Sequence, residues 1–255
     1  MTYPLFDLTG KRALLTGSRQ GIGLSLAAGL GKAGARVILN ARNQDRLDQA
    51  VADLKAAGID AVGRSFDVTD QADVAAAVDR IEAELGPIDI LVNNAGIQRR
   101  APLEDYPVET WHEITRANLD SVFYVSQAVG RHMIARKRGK IINIASLMSE
   151  AARYSIAPYT ATKGAVKMFT KGMCTDWARH NIQINAIGPG YFATPLNKAL
   201  VEDPVFDEWL RKRTPAGRWG QTEELQGAAI FLASAASDFV NGQTIYVDGG
   251  VLATL

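Results

Sequence analysis

The chain has 255 residues, nearly half of them hydrophobic, with 28 basic and 27 acidic side chains, which suits one sizeable α/β domain with a substantial core. A formal charge of +1 gives no electrostatic footprint for nucleic acid or an anionic membrane surface, and no apolar run reaches the roughly 18 residues of a membrane span. A single cysteine, Cys174, excludes an intramolecular disulfide, and the scattered His112, His132 and His180 offer no metal-ligand spacing, so the expectation is a metal-free cytoplasmic protein.

Ala13 to Thr16 is a short apolar run ending at Gly17; Gly21 and Gly23 follow, and a helical pattern runs from Leu24 to Lys32. Strand, glycine turn and helix form the context of a dinucleotide fingerprint. The glycines let the backbone approach a pyrophosphate, and the free N–H groups of the helix start favour its charge. Cofactor contacts are expected from Gly17, Arg19, Gln20, Gly21, Ile22 and Gly23. The second strand reads Arg36 to Asn40. NAD-selective proteins usually place an acidic residue near its end for the ribose 2′-hydroxyl, whereas this chain has Ala41 and Arg42. A guanidinium there pairs with a 2′-phosphate, and Arg19 adds a second positive charge, so NADP is expected, with NAD as the weaker alternative.

Leu47, Val51 and Leu54 recur at helical spacing, and Ala61 to Phe66 is strand-like. Asp67 and Val68 stand at its carboxyl end, where open α/β sheets bind ligands. The Asp67 carboxylate either accepts an adenine amino hydrogen or caps a turn. Asp70 is an N-cap for a helix with the stripe Val74, Val78, Ile81 and Leu85, ended by Gly86 and Pro87. Ile88 to Val92 is a fourth strand, followed by Asn93, Asn94, Ala95 and Gly96, small enough for close approach of a ligand to the backbone. The long segment after it puts Trp111, Ile114, Val122, Val125, Val129 and Met133 near one face, with Asn118 inside. A mid-helix Asn costs helix propensity, so its side chain is either solvated or bends the helix to bind water or backbone.

Lys140 to Ala145 is the next strand, with Ser146 at its end, and 157–178 is a long helix carrying Tyr159 and Lys163. Four residues is about one helical turn, so phenol and ammonium leave the same face. A fixed positive charge lowers the tyrosine pKa from its ordinary value of about 10. Gln183 to Ile187 is followed by Gly188, Pro189 and Gly190; 191–215 is irregular, aromatic and long enough to be a substrate lid. Glu223 to Ala233 returns to helix, and Thr244 to Val247 gives a last strand. The pattern predicts one domain over 1–255, a Rossmann-type doubly wound parallel sheet of about seven strands with helices on both faces.

These residues resemble the short-chain dehydrogenase/reductase family over essentially the whole chain. Thr16 to Gly23 is similar to its TGxxxGxG, Asn93 to Gly96 to its NNAG, and Tyr159 with Lys163 to its YxxxK, with Ser146 thirteen positions before the tyrosine. Asn118 matches the fourth member of its tetrad, and Asn185 to Gly190 resembles its nicotinamide loop, which implies Asn94, Ala95, Gly96, Pro189, Gly190 and Thr194 at the cofactor. The resemblance implies hydride transfer, with Tyr159 donating or accepting the proton. Lys163 would lower its pKa and hold the nicotinamide ribose, Ser146 would bond the carbonyl oxygen, and Asn118 would fix a water leading to solvent. It also implies a homotetramer. Leu5 to Lys11, Ala95 to Glu104, Ile156 to Lys167 and Arg213 to Gly220 are similar to members that interconvert D-gluconate and 5-keto-D-gluconate, usually with NADP. Arg99, Arg100 and Arg153 are then candidates for the substrate carboxylate, beside Ser146 and Tyr159 at the reacting oxygen. Leu147 and Met148 stand where Val and Gln are expected, a departure in the pocket wall. A reductase of another ketone, such as a 3-ketoacyl thioester, shares the whole apparatus, and a non-catalytic NADP-binding sensor would need only the glycine turn.

Overall fold

Runs such as Val37 to Leu39 and Ile90 to Val92, apolar at every position, lack the alternation of a half-solvated strand because both of their faces are covered. In the computed structural model, which describes residues 3–254, they lie inside a seven-stranded sheet. Met1, Thr2 and Leu255, the outer limits of the expected 1–255 domain, lie outside the described residues. The strands are β1 (Arg12–Leu15), β2 (Arg36–Ala41), β3 (Ala61–Ser65), β4 (Ile90–Asn93), β5 (Gly139–Ile144), β6 (Ile182–Pro189) and β7 (Thr244–Val247). All pairings are parallel, in the order β3-β2-β1-β4-β5-β6-β7.

Helices α1 (Gly21–Lys32), α2 (Gln44–Ala56), α3 (Gln71–Leu85), α4 (Val108–Thr115), α5 (Ser121–Arg136), α6 (Ala157–Trp177), α7 (Lys198–Val201), α8 (Pro204–Arg213) and α9 (Gln226–Ala233) provide the crossovers and covering layers. The period of two along each strand sorts side chains between two cores. Leu15, Leu39, Val92, Ile142 and Ile187 pack with residues of α1, α2 and α9. Their neighbours Leu14, Ile38, Leu91, Ile141 and Ile184 pack with residues of α3, α5 and α6. Truncating one of these fully buried side chains to alanine is expected to cost about 2–5 kcal/mol. Asp70 caps α3 as its sequence suggests, accepting from Ala72 N (2.9 Å) and Asp73 N (3.1 Å).

Two stretches differ from the sequence reading. The segment carrying Trp111 and Asn118 is divided by a π-helical turn, Arg116–Asp120, between α4 and α5, and Trp111 is exposed. The reason is the Asn118 side chain, which leaves the helical surface to bond another part of the backbone. The 191–215 segment, expected to be irregular, contains α7 and α8. Asp203 caps α8 through Val205 N (3.0 Å) and Phe206 N (3.3 Å), with Pro204 at the first helical position. No described helix is long and apolar enough to cross a membrane.

Candidate active site

The strand order reverses direction between β1 and β4, and the crevice at such a switch point opens beyond the carboxyl ends of the strands. There the turn after β1 and the turn after β4 are fastened together by Thr16. Its Oγ1 accepts from Asn94 N (3.0 Å) and Ala95 N (3.1 Å), while Asn94 Nδ2 donates to the carbonyls of Thr16 (3.0 Å) and Gly17 (2.9 Å). This closeness requires glycine. Gly17 has φ +60°, and a Cβ there would stand 2.8 Å from Ala95 Cα; one on Gly23 would stand 2.5 Å from Asn94 Nδ2. Asn40, at the end of β2, ties the same turn to β3, accepting from Gly17 N (3.4 Å) and donating to the carbonyls of Arg64 (3.2 Å) and Phe66 (3.0 Å).

A cavity of about 1020 Å³ runs from this turn across the crevice. Every residue expected at the cofactor lines it, from Gly17, Arg19, Gln20, Gly21, Ile22 and Gly23 through Arg42, Asp67, Val68, Asn94, Ala95 and Gly96 to Pro189, Gly190 and Thr194. The residues fit a dinucleotide phosphate. The N-cap Gln20 makes no side-chain bond to the first turn of α1, so those amides face the cavity without a capping side chain. Arg42 fits a 2′-phosphate: its guanidinium is 76% exposed and only loosely opposed by Asp67 at 3.7 Å. Asp67 does cap a turn, its Oδ1 accepting from Thr69 N (2.9 Å) and Thr69 Oγ1 (2.7 Å). Burial alone would raise its carboxyl pKa, but the Thr69 bonds and the Arg42 charge together hold it below the usual value.

At the other end of the cavity Ser146, Tyr159 and Lys163 come together from the end of β5 and the first turns of α6. Lys163 is 5% exposed and donates from Nζ to the Ile144 carbonyl (2.6 Å); burial lowers its pKa to about 8. Its ammonium lies 5.8 Å from the centre of the Tyr159 ring. The expected lowering of the tyrosine pKa is not what this arrangement gives. Burial raises it, the hydroxyl of Ser146 pulls in the opposite direction, and the nearby Tyr191 phenol adds to the rise. The physical reason is that taking the phenol out of water disfavours its charged form more than the Ser146 hydroxyl favours it. The Ser146 Oγ accepts from Met148 N (3.1 Å), which leaves its own proton for an oxygen in the cavity. Asn118 is fully buried behind the cavity wall. Its Oδ1 accepts from Ile97 N (2.7 Å) and its Nδ2 donates to Ile97 O (2.9 Å) and Thr162 Oγ1 (3.3 Å), so it joins the π turn, the loop after β4 and α6.

The three arginine candidates separate. Arg99 is engaged at the rim with Glu113 Oε1 (2.8 Å). Arg100 and Arg153 line the cavity and pair with no carboxylate among the described residues. Burial and then the Arg153 charge lower the Arg100 pKa. The Arg153 guanidinium lies 4.8 Å over the Phe206 ring, and its Nε is buried without a hydrogen-bond partner among the described residues. Tyr191, read from the sequence only as the first residue of the 191–215 lid and not as a site residue, lies between these charges and Tyr159. Burial raises its pKa, against the pull of Arg153, Arg100 and Arg213. Thr16 was also missed; its position directly before the glycine turn was the available signal. The substituted Leu147 and Met148 form an apolar patch of the same wall, packed with Ile156.

A phosphate cradle at the switch point and a hydroxyl–phenol–ammonium group in one cleft define a nucleotide-dependent oxidoreductase built on a single Rossmann-like domain. The comparisons with known proteins narrow this class. A family model described as enoyl-(acyl carrier protein) reductase, of the adh_short_C2 group, matches residues 17–252. The chain is 59% identical to gluconate 5-dehydrogenase of Gluconobacter oxydans, covering 100% of both chains. It is 57% identical to 5-keto-D-gluconate 5-reductase of Escherichia coli K12, covering 97% of this chain and 98% of that one. A solved gluconate 5-dehydrogenase from Burkholderia cenocepacia, in complex with NADP and tartrate, superposes with a TM-score of 0.97 at 60% identity, covering 99% of each chain. The chain belongs to the short-chain dehydrogenase/reductase family.

Proposed function

We propose that the protein is an NADP-dependent oxidoreductase of sugar acids that interconverts D-gluconate and 5-keto-D-gluconate. The names of the relatives support this reading, and the observation that carries it within the chain is the pair Arg100 and Arg153. Two cations with no carboxylate partner, in the same cleft as Ser146 and Tyr159, suit a substrate with a carboxylate at one end. A 3-ketoacyl thioester has no carboxylate beside its reacting ketone for these charges to receive.

NADP, when bound, supplies or takes the hydride. Its phosphates would be held by the amides of Gly21, Ile22 and Gly23, its 2′-phosphate by Arg42 with Arg19, and its nicotinamide end by Asn94 to Gly96, Pro189, Gly190 and Thr194. In reduction Tyr159 donates its proton to the substrate oxygen, a task for which a raised pKa keeps the phenol loaded. Ser146 keeps its proton and donates a hydrogen bond to the same oxygen as negative charge develops. Lys163 would hold the ribose hydroxyls of the cofactor, and its charge stabilises the phenolate that remains. Asn118 is a positioning residue that fixes Ile97 and α6 and, through them, the place of a water linking Lys163 to solvent. Arg100 and Arg153 hold the carboxylate, with Arg99 at the rim. The 191–215 segment, with α7 and α8, acts as the lid.

A panel of sugar acids and neutral ketones assayed with NADPH and NADH tests the assignment. Turnover of 5-keto-D-gluconate with NADPH is expected, and its absence overturns the substrate reading. Replacing Tyr159 with Phe is expected to abolish turnover while NADPH still binds. The chain is further proposed to act as a homotetramer in the cytoplasm. Exposed Phe123 on α5 and Met168 on α6 support self-association, and the free Cys174 suits a reducing compartment. Sedimentation at micromolar concentration checks the assembly.

A further inference from the structure

Arg153 is held in an unusual way for a surface-derived cation. One face of its guanidinium is covered by the Phe206 ring at 4.8 Å, its Nε is buried without a hydrogen-bond partner, and it makes no ion pair among the described residues. Phe206 belongs to α8, in the segment beyond β6, whereas Arg153 lies between Ser146 and α6. The ring is itself fixed on the other side by aromatic packing, with Tyr191 at 5.7 Å and 65°, Trp209 at 5.1 Å and Trp219 at 6.1 Å. Trp219 is anchored in turn through Nε1 to Asp207 Oδ1 (2.7 Å), on the residue next to Phe206. A guanidinium over an aromatic face keeps its charge and its in-plane N–H groups while losing freedom to swing into solvent. The plane of Arg153 is thus set by a residue of the covering segment and not by a carboxylate.

We propose that Phe206 is a positioning residue for substrate specificity: it holds Arg153 beside Arg100 so that the two guanidinium groups receive the carboxylate of the sugar acid. The inference rests on the sugar-acid reading above and deepens it. Seating α8 completes the carboxylate site, so recognition of the charged end of the substrate and closure of the aromatic cluster over the cavity are one event. A neutral ketone gains nothing from it, because it has no group for the oriented fork.

The test is a double-mutant cycle on 5-keto-D-gluconate reduction with NADPH, using Phe206→Leu, Phe206→Tyr, Arg153→Gln and the Phe206→Leu/Arg153→Gln pair. Leu removes the π face but keeps an apolar side chain of similar reach; Tyr keeps the face. Phe206→Leu is expected to raise KM about tenfold, within the range of a desolvated cation–π contact, with kcat and the Kd for NADPH unchanged. Phe206→Tyr restores the wild-type KM. Arg153→Gln raises KM at least as much as Phe206→Leu, and the double variant is no worse than Arg153→Gln alone, since the ring acts only through the arginine. Additive effects of the two substitutions, or a loss in Phe206→Leu that falls on kcat and is not rescued by Tyr, overturn the inference while leaving the sugar-acid reading in place. If Arg153→Gln and Arg100→Gln both leave the KM for 5-keto-D-gluconate unchanged, the carboxylate site itself fails, and the inference with it.

Discussion

Lys163→Met is expected to stabilise the cofactor-free protein at neutral pH while destroying its activity. The buried ammonium has a pKa of about 8 in the folded chain against 10.5 for an ordinary lysine. Between those values the unfolded chain holds the proton and the folded chain does not, so this group makes stability rise with pH from about 8 to 10.5. Below that window the full cost remains: at about 1.36 kcal/mol for each pH unit, the charged lysine costs the fold on the order of 3 kcal/mol at pH 7. At pH 10 less than about 1 kcal/mol of it is left. Methionine has a similar length and no charge, but it leaves the Ile144 carbonyl without its donor, a loss of about 1 kcal/mol. The net expectation is a gain of roughly 2 kcal/mol at pH 7 that falls to near zero at pH 10, read from urea unfolding at fixed protein concentration. A variant that is destabilised equally at both pH values would refute the assignment of a costly buried charge to Lys163.

Arg42→Ala removes the cation at the end of β2, where a charge-assisted bond is worth about 1.5–3 kcal/mol. It should raise the KM for NADPH by roughly 10- to 100-fold, with little change for NADH; equal effects on both cofactors would exclude a 2′-phosphate contact. Asn118→Ala empties a fully buried site that bonds both polar groups of Ile97 and leaves them unsatisfied. A loss of about 2–4 kcal/mol in denaturation is expected along with reduced kcat, whereas an unchanged melting profile would mean the loop after β4 is held by other contacts. Because reduction uses the protonated Tyr159 and oxidation the deprotonated form, kcat/KM for ketone reduction should fall, and that for alcohol oxidation should rise, as pH moves toward the raised phenol pKa. Superimposable pH profiles in the two directions would remove Tyr159 from proton transfer.

Much of this was legible in the residue order. The glycines around Gly17, the apolar runs of the strands, the N-cap at Asp70 and the one-turn spacing of Tyr159 and Lys163 express local rules: a positive φ, two covered faces, a short side chain that bonds the first turn, and 3.6 residues per turn. They determined a parallel doubly wound sheet and the set of residues around one cleft. They left open whether Asn118 is solvated or bends its helix, and could not name the backbone it binds, because its partner Ile97 is 21 positions away. The same holds for the three arginines, which are alike in sequence. Only the fold gives Arg99 to Glu113, leaves Arg100 beside Arg153, and lays the Arg153 guanidinium on Phe206 of α8. It likewise turns the Lys163 ammonium onto the Ile144 carbonyl, and it buries the Tyr159 phenol enough for desolvation to set the direction of its pKa. Sequence spacing fixes which groups leave the same face of one element. Which charge faces which ring, carbonyl or carboxylate across elements is a matter of distance and dielectric, and those exist only once the chain has packed.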